Sequence, residues 1–243
     1  MTLLILSGTG EGREIAAVLH QQGVDVIASL AGATRNPRAQ KVPTRIGGFG
    51  GAQGFEDYLK SHEISGVLDA THPFASKISH RSAQVCAKLG VAYCLYQRPA
   101  WVASGADNWT KLDDETDAAK HVKSGEIVFL ATGRQTLKKF ANLSDNHLIC
   151  RQIDPPNGPF PLEKGEFLIG RPPFSVEDEV ALFKSLKVDW LIVKNAGGAA
   201  SFSKLEAARQ LGLTVGMIKR PNAPDAHKVS TVEDAILWGA AHG

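Results

Sequence analysis

Apolar positions along this chain recur with two periods, and the switches between them lay out the elements. Residues 2–7 form a short apolar run that ends in Gly8-Thr9-Gly10-Glu11-Gly12-Arg13. Ile15, Val18, Leu19 and Gln22 follow at helical spacing, Gly23 stops that helix, and residues 24–30 read as a second strand. The stretch Gly47-Gly48-Phe49-Gly50-Gly51 reads as a loop, because so many glycines weaken any regular element. A helix marked by Phe55, Tyr58 and Leu59, a strand at 66–69, a helix at 76–89 and a strand at 91–95 complete a first series near Arg98-Pro99. Residues 99–113, with Trp101 and Trp109 but little periodicity, read as a connector.

A second series starts at Thr116. It predicts helix 115–123, strand 126–131, a short helix ending at Phe140, and strands 147–150 and 167–170. Helix 176–187, strand 190–193, helix 203–211, strand 214–218 and a last helix over 231–241 follow. Asp154-Pro155-Pro156-Asn157-Gly158-Pro159 is too rich in proline for a helix or a central strand. Strands alternating with helices through glycine-bearing turns argue for parallel sheets covered by helices. The expectation is an α/β protein of two Rossmann-like units, residues 1–98 and 99–243, with the ligand cleft between them. Residues 221–243 could pack on either unit.

Composition narrows the function classes. The chain has 243 residues, 43% hydrophobic and 21% charged, with a net charge of +2. That supports a sizeable core and gives no strongly basic surface for nucleic acid. No apolar run approaches the roughly 18 residues of a membrane span. The start, Met1-Thr2-Leu3-Leu4, lacks the charged segment of a signal peptide, so the cytoplasm is the expected compartment. Cys86, Cys94 and Cys150 lie in apolar or helical contexts without metal-ligand spacing; buried thiols and no metal are expected. Gly-x-Ser-x-Gly, His-Glu-x-x-His and Cys-x-x-Cys motifs are absent from the sequence, so hydrolytic and metal chemistry have little support.

The richest stretch is Asp69-Ala70-Thr71-His72-Pro73-Phe74-Ala75, a polar loop between strand and helix. In open α/β sheets ligands bind at the carboxyl ends of strands, where this loop places a hydroxyl, an imidazole and an aromatic ring together. Ser76, Ser79, His80 and Arg81 begin the next helix, whose N-terminus suits an anionic group. The Gly8–Arg13 loop reads either as a phosphate loop or as a tight turn. It fails the dinucleotide fingerprint, since Arg13 holds the third glycine position, and it lacks the Gly-Lys-Ser/Thr of a P-loop. An NAD site would carry an acid at the end of the second strand. Ser29, Gly32, Thr34, Arg35 and Arg38 stand there instead, which favours the 2′-phosphate of NADP(H). Arg98, Arg134, Arg151, Arg171, Arg220, Lys194 and Lys204 recur at strand ends and loops and suit a substrate with several carboxylates.

Taken in order, these motifs resemble the precorrin-6A reductase family of cobalamin (vitamin B12) biosynthesis. The resemblance rests on Gly8-Thr9-x-Glu11, Ser29-x-Ala31-Gly32, Gly47-Gly48-Phe49-Gly50-Gly51 and Asp69 through Ala75. Arg98-Pro99-x-Trp101, Thr132-Gly133-Arg134-Gln135 and Lys194-Asn195-x-Gly197-Gly198 extend it over nearly the whole chain. Ala196 departs from it, since the family often carries serine there. The resemblance implies NADPH-dependent reduction of the precorrin-6A macrocycle, a tetrapyrrole, to precorrin-6B, with hydride to C19 and a proton to C18. It implies that Gly8, Thr9, Gly10, Glu11 and Arg13 hold the pyrophosphate and ribose, and Ser29, Gly32 and Arg35 the 2′-phosphate end. Thr71, His72, Pro73 and Phe74 would border the nicotinamide. Ser76, Arg98, Arg134, Arg151, Arg171, Lys194, Asn195 and Lys204 would face the carboxylates. His72, Lys194 and an ordered water stand as alternative proton donors. Two other readings fit the residues: a reductase of another polyanionic tetrapyrrole, and a sensor that binds NADPH without turnover.

Overall fold

The first apolar run forms β1 (Thr2–Ser7), in which Leu3, Leu4, Ile5 and Leu6 are all buried, as a central parallel strand covered on both faces requires. The computed structural model describes residues 1–32 and 39–243. They divide into two units, Met1–Pro99 with Pro221–Gly243, and Ala100–Arg220.

In the first unit β1 leads through α1 (Gly10–Gln21) to β2 (Asp25–Leu30) and β3 (Thr44–Ile46). α2 (Ala52–Ser61), β4 (Ile64–Ala70), α3 (Ser76–Leu89) and β5 (Ala92–Tyr96) follow. In the second unit come β6 (Trp109–Leu112), β7 (Ile127–Leu130), β8 (His147–Gln152), β9 (Gly165–Ile169), α4 (Val176–Ser185), β10 (Trp190–Lys194), α5 (Ser203–Leu211) and β11 (Thr214–Ile218). Two 3₁₀ helices, Glu115–Lys120 and Arg134–Phe140, flank β7. The chain then supplies β12 (His227–Val229) and α6 (Val232–His242) to the first unit.

The first sheet runs β12-β5-β4-β1-β2-β3 with every pairing parallel. Read from β3, that is the doubly wound order 3-2-1-4-5-6, with β12 in the sixth place. The second sheet, β6-β11-β10-β7-β8-β9, repeats the order around β7, but its outermost position is filled by β6, which precedes it in the chain. Each sheet therefore changes winding direction between two central strands, β1 and β4 in one and β7 and β10 in the other. Loops leaving those strands flank the crevice where such sheets bind ligands.

Residues 221–243, open between the units in the sequence, belong to the first. β12 pairs with β5, and α6 packs on α1. Gly239 allows this approach, since a Cβ there would lie 2.6 Å from Leu19 Cδ1. Three strands escaped the sequence pattern: β3, β6 and β12. All are edge strands of three or four residues, too short and too exposed to show an apolar run. The three cysteines are free and buried, and burial pushes the thiols of Cys86 and Cys94 up to about 12 and that of Cys150 to about 11.

Candidate functional site

In the first unit the ends of β1 and β4 are joined by one side chain. Thr9 caps α1, its hydroxyl accepting from Gly12 N at 3.0 Å and donating to Ala70 O at 3.1 Å. Gly12 lets the helix start sit against the end of β4: a Cβ there would lie 3.0 Å from Ala70 Cβ and 3.1 Å from Ala70 O. Gly8 borders the Thr71-His72 loop, where an added Cβ would stand 3.8 Å from Thr71 Cα and 3.9 Å from His72 N. A side chain at Gly8 would thus enter the space between the two loops. Arg13 reaches back over the helix start, with Nη2 3.8 Å from a Cβ built at Gly10.

The loop after β4 is held by a buried carboxylate. Asp69 Oδ1 accepts from Thr71 N at 3.0 Å and Thr71 Oγ1 at 2.7 Å, and Oδ2 accepts from Tyr93 Oη at 2.8 Å. Burial, then the Asp69 charge, hold the Tyr93 phenol far above its ordinary range, so it stays a donor. His72 Nδ1 accepts from Phe74 N at 3.2 Å, which selects the tautomer with the proton on Nε2. Thr71, His72, Pro73 and Ser76 line a pocket with Gln97 and the return segment 222–224. His80 Nε2 lies 2.9 Å from Asn222 O, tying that segment to α3. Gln97 and Asn222 were not found from the sequence, because the return segment reaches this pocket only through the unforeseen β12.

Asp69→Ala would strand three hydrogen-bond donors of the loop and its neighbour. The unfolding free energy is expected to fall by about 2–3 kcal/mol, with a smaller loss for Asp69→Asn, which keeps an acceptor. Urea denaturation checks this; an unchanged midpoint in the alanine variant would contradict it.

At the end of β2, Ser29 is buried and its register partner on β3 is Arg45. Arg45 Nη1 donates to Ser29 Oγ at 2.7 Å and to Gly47 O at 2.9 Å, and Nη2 donates to Gly48 O at 3.0 Å. Gly32 follows Ser29 with φ +75°, open toward Ile46. Arg35, with Thr34 and Arg38, lies outside the described residues. Arg45 was missed because it sits on one of the short edge strands.

Glu11 and Arg98, assigned to different ligands from the sequence, pair with each other at 2.8 Å. In the second unit five expected carboxylate binders, Arg151, Asn195, Lys194, Lys204 and Arg171, have internal partners. Arg151 forms a two-pronged pair with Glu179 at 2.8 and 2.7 Å and stacks on Phe174 at 4.3 Å. The Asn195 amide bonds both backbone groups of Trp101, accepting from N at 2.8 Å and donating to O at 3.0 Å. Lys194 Nζ donates to Thr132 O at 3.1 Å and Thr136 Oγ1 at 3.3 Å, with Glu115 Oε1 at 3.6 Å. Burial lowers the Lys194 pKa, opposed by Glu115. Lys204 is buried and donates to Ser201 O at 2.6 Å. Arg134 is exposed at the start of its 3₁₀ helix, and Arg171 is 3.9 Å from Asp154.

Burial, reinforced by Arg151, brings Lys204 from 10.5 down to about 8, against the opposing pull of Glu179. Between about pH 8 and 10.5 the unfolded chain keeps a proton that the folded chain has released, so this lysine makes stability rise with pH across that window. The buried thiols, with pKa values raised by burial, pull the other way in both proteins, so Lys204→Met is expected to make the slope of unfolding free energy against pH, measured in urea from pH 8 to 10.5, less positive than in the wild type; an identical slope in both proteins would contradict it.

Comparisons with known proteins bear on the whole chain. Residues 2–239 match the family described as Precorrin-6x reductase CbiJ/CobK. A precorrin-6A reductase of Rhodobacter capsulatus is 43% identical over 242 residues, covering 99% of this chain and 96% of the relative. A cobalt-precorrin-6A reductase of Priestia megaterium is 30% identical over 252 residues, covering 96% of each. A solved structure described as CobK precorrin-6A reductase superposes with a TM-score of 0.95 at 42% identity, covering 100% of this chain and 97% of that one.

Proposed function

The chain belongs to the precorrin-6x reductase family, and from that premise we propose that it reduces precorrin-6A to precorrin-6B with NADPH, hydride going to C19 and a proton to C18. The carrying observation is that the Thr71-His72 loop and the Gly8–Gly10 loop leave adjacent central strands at the winding change of a 3-2-1-4-5-6 sheet. The metal-free substrate is preferred over the cobalt form because the relative named for it is the more similar, 43% against 30%.

The first unit fits a dinucleotide on two observations. Side chains are missing at Gly8 and Gly10, where the backbone must approach a pyrophosphate, and the helix start carries the Arg13 guanidinium. No acid stands at the end of β2 to select an unphosphorylated ribose; Ser29 and Arg45 are there instead. NADPH supplies the hydride when bound. The chain's own residues bind, orient and exclude water. Thr9 and Asp69 fix the two loops, and Thr71, Pro73 and Phe74 shape the wall beside His72. His72, which lines this pocket with its Nδ1 engaged by the Phe74 N–H, is the proposed proton source of the first unit. Lys194, with three oxygens around its ammonium, is assigned to joining the ends of β7 and β10. Arg134 and Arg171, the more exposed of the expected cations, are kept for substrate carboxylates. Arg151, Asn195 and Lys204 are reassigned to holding the second unit.

The test is absorbance at the nicotinamide band with purified protein, precorrin-6A, and NADPH or NADH. Loss of NADPH together with a changed macrocycle spectrum, and a much slower reaction with NADH, is expected. NADPH binding without oxidation would move the function to another tetrapyrrole or to sensing.

A further inference from the structure

The glycine loop 47–51 is not accounted for by the reduction itself, and its geometry gives it a task. Three of its glycines have φ between +74° and +119°, at Gly47, Gly50 and Gly51, a region closed to most side chains. A Cβ at Gly54 would lie 1.8 Å from Phe49 O, so the loop is pinned against the start of α2. The result is a cradle for Arg45. The carbonyls of Gly47 and Gly48 point at its guanidinium, and the Phe49 ring lies beneath it at 3.8 Å, with Tyr58 at 5.1 Å.

Two features of that guanidinium point to an anion. First, no carboxylate lies within ion-pair distance of it among the described residues, whereas Arg98, Arg151, Arg171 and Arg209 each have one. Carbonyls and rings hold a cation in place but leave its charge uncompensated. Secondly, its five N–H groups make three bonds to protein, one to each of Ser29, Gly47 and Gly48, which leaves two for a ligand. The Ser29 hydroxyl accepts from Arg45, so its own proton is turned to another acceptor. Both groups lie at the carboxyl end of β2 and β3, the edge of the sheet that also carries the Gly8 loop.

We infer that Arg45 is the residue that selects NADP(H) over NAD(H), its guanidinium and the Ser29 hydroxyl together receiving the 2′-phosphate of the adenosine ribose. This rests on the cofactor reading above, and it makes the loop 47–51 a device for presenting one arginine.

Binding, not turnover, tests it. Calorimetric titrations of wild type and Arg45→Met with NADP⁺, NAD⁺, 2′,5′-ADP and 5′-AMP separate the possibilities, with circular dichroism to verify folding. Loss of a charged hydrogen-bonding partner is expected to weaken NADP⁺ and 2′,5′-ADP by about 10- to 100-fold and to leave NAD⁺ and 5′-AMP within about threefold. Equal weakening of the phosphorylated and unphosphorylated ligands would overturn the inference and leave Arg45 as a loop holder; so would no weakening of either. A wild type that binds NADP⁺ no better than NAD⁺ would instead sink the cofactor reading, and the inference with it. If the methionine variant does not fold, Arg45→Lys serves: it keeps the charge but loses the fork, and its preference for NADP⁺ over NAD⁺ should fall by about 3- to 10-fold. An unchanged preference in that variant would overturn the inference.

Discussion

Replacing His72 with alanine is expected to lower kcat for precorrin-6A reduction roughly 100-fold, the scale of a lost proton-transfer group. The loop after β4 sets this effect. Asp69 fixes Thr71, the Phe74 N–H engages His72 Nδ1, and the imidazole lines a pocket with Ser76 and Gln97. An imidazole oriented by a backbone N–H is a preset donor rather than a side chain searching among rotamers. The proposed dinucleotide site rests mainly on Thr9, Gly10 and Ser29, so the Kd for NADPH should stay near the wild-type value in the same variant. Stopped-flow single turnovers with separate NADPH titrations check both parts. A loss below about fivefold with binding intact would transfer proton delivery to water.

Glu179→Ala is expected to cost about 3–5 kcal/mol of stability in the second unit, because it leaves the Arg151 guanidinium buried without its partner. Side chains of the pair are 9% and 1% exposed, so solvent cannot replace the lost carboxylate. Lys204, whose charge Glu179 supports, would lose that help as well. Three of the four tryptophans, Trp101, Trp109 and Trp190, lie in this unit, and their fluorescence in urea reports its unfolding. The double variant Arg151→Met with Glu179→Leu should recover most of the loss, since a packed apolar pair can replace a buried ion pair. A cost below about 1 kcal/mol for the single variant would return Arg151 to the candidates for substrate binding.

These expectations show which parts of the molecule can be read along one dimension. The repeated strand and helix periods mark the central elements of both sheets, because a strand buried on both faces must be apolar along its middle, as residues 3–6 of β1 and 190–193 of β10 are. The Asp69–Ala75 loop stands out in the sequence as a candidate site, since polar chemistry at a strand end has few structural reasons to cluster. Three of the four edge strands were not legible: β3, β6 and β12 are short and half solvated, and the residues they deliver, Arg45 and the return segment by Gln97, went unseen with them. Charged residues were the least readable. Nothing local says that Arg151 meets Glu179 across 28 positions, or that Glu11 meets Arg98 across 87. A cation at a strand end looks the same whether a substrate or a distant carboxylate will neutralise it.

The central claim is a direct hydride transfer to the macrocycle, and one isotope experiment addresses it. NADPH carrying deuterium at the transferring position of nicotinamide C4 is incubated with the protein and precorrin-6A, and the product is examined by mass spectrometry and NMR. The expected result is one deuterium per product molecule, located at C19, with C18 taking its hydrogen from solvent. Product without deuterium, or with deuterium at C18, would contradict the account.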